Sequence, residues 1–191
     1  MSNPFKVACI QTNSGSDVTA NLATAIDLAR QASAAGADLI ALPETVNIMA
    51  PDRAFLKANI QPEEGNQALL AFADLARETG AWVLIGSILV DVPGSEKMAN
   101  RSLLLDADGA VRARYDKVHM FDVNLGGAET HRESNHYNAG GESVLAETPW
   151  APLGMTICYD LRFAYLYRAL AQAGAAMISV PSAFTRVSGE A

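Results

Sequence analysis

The chain has 191 residues, half of them hydrophobic, enough for a single domain (1–191) around a sizeable core. Its formal charge is -7 and it holds no run of Lys or Arg. Neither phosphate neutralisation nor a polybasic anchor is therefore at hand, which argues against nucleic acid and anionic membrane as partners. No apolar leader region follows Met1 and no segment is long enough to span a bilayer. The two cysteines, Cys9 and Cys158, form no Cys-x-x-Cys pair and fit a reducing, cytoplasmic setting.

Residues 5–11 read as a buried first strand, with Cys9 inside it as a small core hydrophobe. Residues 17–35 turn helical: Leu22, Ala25, Ile26 and Ala29 share a face, and Gly36 is placed for a left-handed cap. Residues 38–42 form a second apolar strand that runs into Pro43-Glu44-Thr45. A proline directly after a strand stops its ladder, so Glu44 is expected at a strand's carboxyl end. Residues 48–60 read as irregular or weakly helical. A second amphipathic helix over 66–79 turns Leu69, Phe72 and Ala76 inward and stops at Gly80. Strands follow at 81–90 and 100–105, then a hairpin turn at 106–109 with Gly109 where positive φ is needed. The returning strand, 110–115, delivers Asp116-Lys117-Val118-His119 at its end.

The stretch 120–141 holds Gly126-Gly127, Gly140-Gly141 and several Asn and His residues, and reads as a long functional or mobile loop. A short strand at 143–147 and a proline-bounded turn lead to an apolar strand ending at Cys158. Polar residues opening a helix (162–173) come next, so the thiol should lie at a strand's carboxyl end and a helix's mouth. Ligands bind there in α/β proteins, and a thiol there ionises more easily. A last buried strand, 175–180, is cut by Pro181, and the chain stops at Ala191 with no closing helix, which reads as a fragment. Strands alternating with helices indicate an α/β fold, to which the 80–115 hairpin adds antiparallel strands.

Glu44, Lys117 and Cys158 are polar residues of complementary kinds at strand ends. Thiol attack on an amide carbonyl needs a base for the thiol proton, and positive charge or N–H donors where the oxygen becomes negative. Glu44 can serve as base, Lys117 as cation and Cys158 as nucleophile, although spacing alone equally allows a cap, a solvated lysine and an inert thiol.

Leu42-Pro-Glu44-Thr, Tyr115-Asp-Lys117-Val-His-Met-Phe-Asp122 and Met155-Thr-Ile-Cys158-Tyr-Asp-Leu-Arg-Phe163 resemble, in order and spacing, the three signature segments of the nitrilase superfamily of carbon–nitrogen hydrolases. Arg132-Glu133-Ser-Asn135, with Asn138-Ala-Gly140 after it, resembles a further segment of that family. The resemblance implies a four-layer α-β-β-α sandwich with mixed sheets, here lacking its C-terminal part, and a metal- and cofactor-free site. It implies Glu44 as general base, Lys117 as oxyanion cation and Cys158 as nucleophile. Glu133 becomes a supporting carboxylate and the Tyr159 N–H a second oxyanion donor. The wording around Lys117 and Cys158 is most similar to the Nit branch of amidases, which implies a small carboxylate-bearing amide substrate of the deaminated glutathione or 2-oxoglutaramate type. It also implies a homodimer or larger assembly of the full-length form. Such a substrate calls for a cation, for which Arg132 and Arg186 are candidates. A non-catalytic or partner-binding fragment stays open, as do an acyltransferase, a nitrilase and a carbamoylase. Asp160 and Arg162 read as structural partners of the Cys158 corner. Ala164-Tyr165 stand where that branch usually has Pro-Glu, at a first helical turn that needs no proline.

Overall fold

The computed structural model describes residues 4–124 and 130–184. A five-stranded sheet takes the order β1 (Val7–Cys9), β2 (Leu39–Ala41), β3 (Trp82–Asp91), β4 (Met98–Leu105), β5 (Val111–Asp116). The first three strands run parallel, and β4 and then β5 join antiparallel. Two reversals return β5 to the direction of β2, so the carboxyl ends of both emerge on one edge. That edge carries Glu44 and Lys117.

Both faces of this sheet are covered, which is why β3 reads as a nearly unbroken apolar run. Along each strand successive side chains alternate faces. Ile40, Val83, Ile85, Leu103 and Leu105 join Leu22, Ala25, Phe72 and Ala76 in one core. The last four come from α1 (Val18–Ala34) and α3 (Gln67–Thr79). Leu39, Leu84, Leu104 and Tyr115 form a second core with Leu153, Met155 and Ile157. Those last residues lie on or just after β9 (Leu153–Met155), the centre of a small sheet between β10 (Met177–Ser179) and β8 (Val144–Ala146). The far side of that sheet is covered by α4 (Ala164–Gln172), whose Leu170 sits close against Gly154. The layers thus run helices, large sheet, small sheet, helix, the α-β-β-α order expected.

Caps at the helix ends obey the local sequence. The Asp17 carboxylate accepts from Ala20 N–H, the Asn66 side chain caps α3, and Gly36 and Gly80 take positive φ of 85° and 67°. Four expectations need correction. Over 48–60 there is a definite helix, α2 (Arg53–Asn59), because Asp52 accepts from Phe55 N–H and Leu56 is buried at its base. Cys9 is exposed, since β1 is only three residues long and pairs on one side alone. The strand β10 is likewise a half-exposed edge. An open cleft of about 680 Å³ separates these two edges, lined by Val7, Cys9, Met177 and Phe184 among others.

The fourth correction concerns 120–141, whose described residues, 120–124 and 130–141, are not structureless; Gly126 and Gly127 lie outside the described residues. The stretch carries a hairpin, β6 (Asp122–Asn124) with β7 (Thr130–Arg132), then a 3-10 turn at Glu133–Asn135. Met98 N–H donates to His136 O and Asn138 N–H to Met98 O, pinning the segment after that turn to β4. Gly140 N–H donates to Lys117 O, and a Cβ on Gly140 would stand 2.2 Å from Asp116 O, so only glycine allows this approach.

Candidate active site

Glu44 leaves β2 through Pro43, and the next residue, Thr45, takes φ 50°, a left-handed conformation costly for a β-branched residue. A bulge in β3 holds it there. Thr45 N–H donates to Ser87 Oγ at 2.8 Å, Ser87 N–H to Pro43 O at 3.1 Å and Val46 N–H to Ser87 O at 3.0 Å. Glu44 is 6% exposed and its carboxylate is fully engaged. Oε1 accepts from Lys117 Nζ at 3.0 Å and Asn100 Nδ2 at 2.9 Å, and Oε2 accepts from Ala183 N–H at 2.9 Å.

Lys117 is 2% exposed, and its ammonium also faces Glu133, at 2.9 Å from Oε2 and 3.1 Å from Oε1. Burial by itself would lower its pKa. The Glu44 and Glu133 carboxylates outweigh that and hold it well above the ordinary lysine value, so the group is a fixed cation. Glu133 is fixed in turn: Phe121 N–H donates to its Oε2 at 2.6 Å.

Cys158 closes the arrangement from the small sheet. It has φ 46°, and its N–H donates to Pro181 O at 2.9 Å. A sharp corner of this kind turns the thiol away from the strand toward the neighbouring carboxylate and ammonium. Burial, then the Glu44 charge, pushes the thiol up to about 11, although Lys117 and the Ala183 N–H pull it down. The ease of ionisation expected at a helix mouth is therefore absent. Cys158 opens a five-residue 3-10 turn, Cys158–Arg162, and the α-helix starts only at Ala164. A short turn supplies little macrodipole, and desolvation wins. Tyr159 is the second residue of that turn, where an N–H has no acceptor within the turn itself.

The structure thus gathers Glu44, Lys117, Glu133 and Cys158, with Tyr159 beside them. Arg132 does not join this network: it is exposed at the end of β7, and its Nη1 donates to the neighbouring His131 carbonyl. Arg186 lies outside the described residues.

Sequence reasoning misses one contributor, Asn100, and identifies a second, Asp160, without its partners. Asn100 reads in the sequence only as the start of a strand, yet it is 1% exposed and fills the gap between Glu44 and the strand that carries Lys117. Asp160 reads as structural, but its linear setting does not give the extent of its contacts. It is fully buried and accepts from Tyr115 Oη, His119 Nδ1 and the N–H groups of His119 and Ile157. His119 also stacks on Phe163 with ring centroids 3.6 Å apart. The available signal is the Asp-Leu-Arg tripeptide after Cys158, whose partners a linear reading cannot supply.

A two-sheet α/β sandwich whose strand ends collect a thiol, two carboxylates and an ammonium narrows the class considerably. A family model described as carbon-nitrogen hydrolase matches residues 6–190. The chain belongs to that family, within the nitrilase superfamily that the motifs indicated. It is 37% identical over 187 residues to a deaminated glutathione amidase of Yersinia enterocolitica, covering 97% of this chain and 65% of that protein. It is 34% identical over 188 residues to omega-amidase NIT2 of Bos taurus, covering 98% of this chain and 66% of that one. The Caenorhabditis elegans NitFhit protein superposes with a TM-score of 0.87 at 29% identity, over 98% of this chain and 46% of that one. The chain spans less than two thirds of the length of the curated relatives it matches.

Proposed function

We propose that the protein hydrolyses a linear C–N amide bond of a small carboxylate-bearing amide, of the deaminated glutathione or 2-oxoglutaramate type, through a thioester on Cys158. The observation that carries this reading is the buried Lys117 ammonium held between Glu44 and Glu133 beside a thiol at a strained corner. Support also comes from the names of the relatives, deaminated glutathione amidase and omega-amidase.

The resting thiol is neutral, so the proton moves as the bond forms. Glu44 takes it while Sγ attacks the amide carbon, and the carbonyl electron pair shifts to oxygen. Lys117 Nζ and the Tyr159 N–H face that developing negative charge. Collapse breaks the C–N bond. The leaving nitrogen takes the proton from Glu44 and departs as ammonia, leaving the thioester. Water then gives a proton to Glu44 and attacks the thioester carbon. The thiolate leaves, recovers the proton from Glu44, and the free carboxylic acid is released. Glu133 keeps Lys117 charged and aimed without reacting.

Replacement of Cys158 by Ala is expected to abolish ammonia release from 2-oxoglutaramate and deaminated glutathione while the thermal midpoint stays unchanged. Activity retained in Cys158→Ala would overturn the mechanism. A panel of amides, nitriles and N-carbamoyl compounds assigns the substrate class, and activity confined to the latter two would overturn the substrate reading.

A further inference from the structure

Asp160 is more enclosed than either Lys117 or Glu44 and has no part in the chemistry above. Its Oδ2 accepts from Tyr115 Oη at 2.7 Å and Ile157 N–H at 2.9 Å. Its Oδ1 accepts from His119 N–H at 2.9 Å and lies 2.7 Å from His119 Nδ1. An ionised carboxylate only accepts, so the Nδ1 carries the proton in that contact, and all four acceptor directions are filled.

These donors come from two places. Tyr115 and His119 bracket Lys117 along the chain, and Ile157 and Asp160 bracket Cys158. The two segments extend different sheets, so neither ladder sets the distance between them. Among the described residues, no backbone hydrogen bond joins 115–119 to 157–160. We propose that Asp160 and His119 are positioning residues that set the separation between the Lys117 ammonium and the Cys158 thiol, by tying together the segments that carry them. The stack of His119 on Phe163 is a second tie of the same kind, from the Lys117 segment to the start of α4. This rests on the reading of Cys158 as nucleophile and Lys117 as its cation.

Asp160→Asn must leave a buried N–H without an acceptor and puts the fold at risk. His119 therefore carries the test. His119→Phe keeps a ring for Phe163 but removes the Nδ1 donor, whereas His119→Asn offers an amide N–H near the same place. The readout is alkylation of Cys158 by iodoacetamide at a fixed pH of about 8, near the ordinary thiol pKa. It is measured in a Cys9→Ser background because Cys9 is a second exposed thiol. A looser Lys117 stabilises the thiolate less, and one pKa unit is about tenfold in reactive form. His119→Phe is expected to alkylate about tenfold more slowly under conditions where urea unfolding shows it fully folded, and to lower kcat without raising KM. His119→Asn is expected to recover most of the rate. His119→Phe alkylating at the parent rate, or His119→Asn as slow as His119→Phe, would overturn the proposal. Should His119→Phe fail to fold, Tyr115→Phe loses only a hydroxyl, and the same slowing or parent rate decides. An absence of ammonia release in the parent, with the alkylation differences intact, would sink the amidase reading and leave the positioning role standing.

Discussion

At Cys158 burial and the neighbouring Glu44 carboxylate lower the thiolate population. A thiol pushed up to about 11 is almost entirely protonated at neutral pH. Its reaction with iodoacetamide should therefore climb about tenfold per pH unit until the pH approaches that value. A plateau near pH 8 or 9 would contradict the burial and charge described. Glu44 raises the thiol, so Glu44→Gln removes that influence and the thiol pKa falls. The signs then separate two functions: alkylation at pH 8 should quicken, by about tenfold for one unit, while ammonia release is lost. Slower alkylation in Glu44→Gln would mean that Glu44 does not oppose thiolate formation. The left-handed conformations at Thr45 and Cys158, each costing about 1–3 kcal/mol, lie next to Glu44 and at the thiol-bearing residue itself. Strain of that size persists because Ser87, Pro181 and Asp160 hold the surrounding backbone.

Among the elements, the bulge of β3 between Ile85 and Ile88 has the most direct hold on the Glu44 segment. A Cβ on Gly86 would stand 1.9 Å from Leu42 O and 2.5 Å from Pro43 O, both backbone atoms of the segment that carries Glu44. Neither can swing away as a flexible side chain would. Gly86→Ala is expected to cost about 1–3 kcal/mol by urea unfolding. Because it displaces Glu44 rather than removing it, kcat should fall about a hundredfold. A Gly86→Ala protein with parental kcat would show that the Glu44 segment tolerates displacement. A second support lies behind Lys117. Asp116 takes both Arg101 Nε and Nη2, Glu63 takes Arg101 Nη1 at 2.7 Å and Arg114 Nε at 2.5 Å, and the network ties β4 and β5 to the segment before α3. Burial would raise the Glu63 carboxyl, but the hydrogen bonds and charges of Arg114 and Arg101 bring it below the ordinary value.

Over the whole molecule, the five-stranded sheet separates two large apolar cores, Cys158 packs against the second, and a smaller third cluster gathers Ile48, Leu56, Leu89 and Met98. Phe72 is the largest side chain of the first, fully buried between α3 and the sheet. Phe72→Ala should cost about 3–5 kcal/mol by urea unfolding, through lost transfer energy and a residual cavity. At temperatures where it is folded, its KM and thiol reactivity should stay close to parental. A matching fall in Cys158 reactivity would show the two cores to be coupled. No helix among the described residues is long and apolar enough to cross a membrane.

The periodic helices α1 and α3, their stops at Gly36 and Gly80, and the strand ends bearing Glu44, Lys117 and Cys158 were legible in the chain before folding. Local rules suffice there, because periodicity, proline after a strand and glycine at a left-handed cap act over a few residues. The tertiary structure alone decided that Glu44 and Lys117 share an edge, since that depends on two strand reversals far apart in sequence. It also decided that Asn100 fills the space between them, that Glu133 follows a strand, β7, paired with β6, and that β1 with Cys9 is an exposed edge. The thiol shows the division most clearly. Chain position suggested easy ionisation, whereas packing half-buries Cys158 beside a carboxylate, and desolvation is a property of neighbours that no linear spacing records.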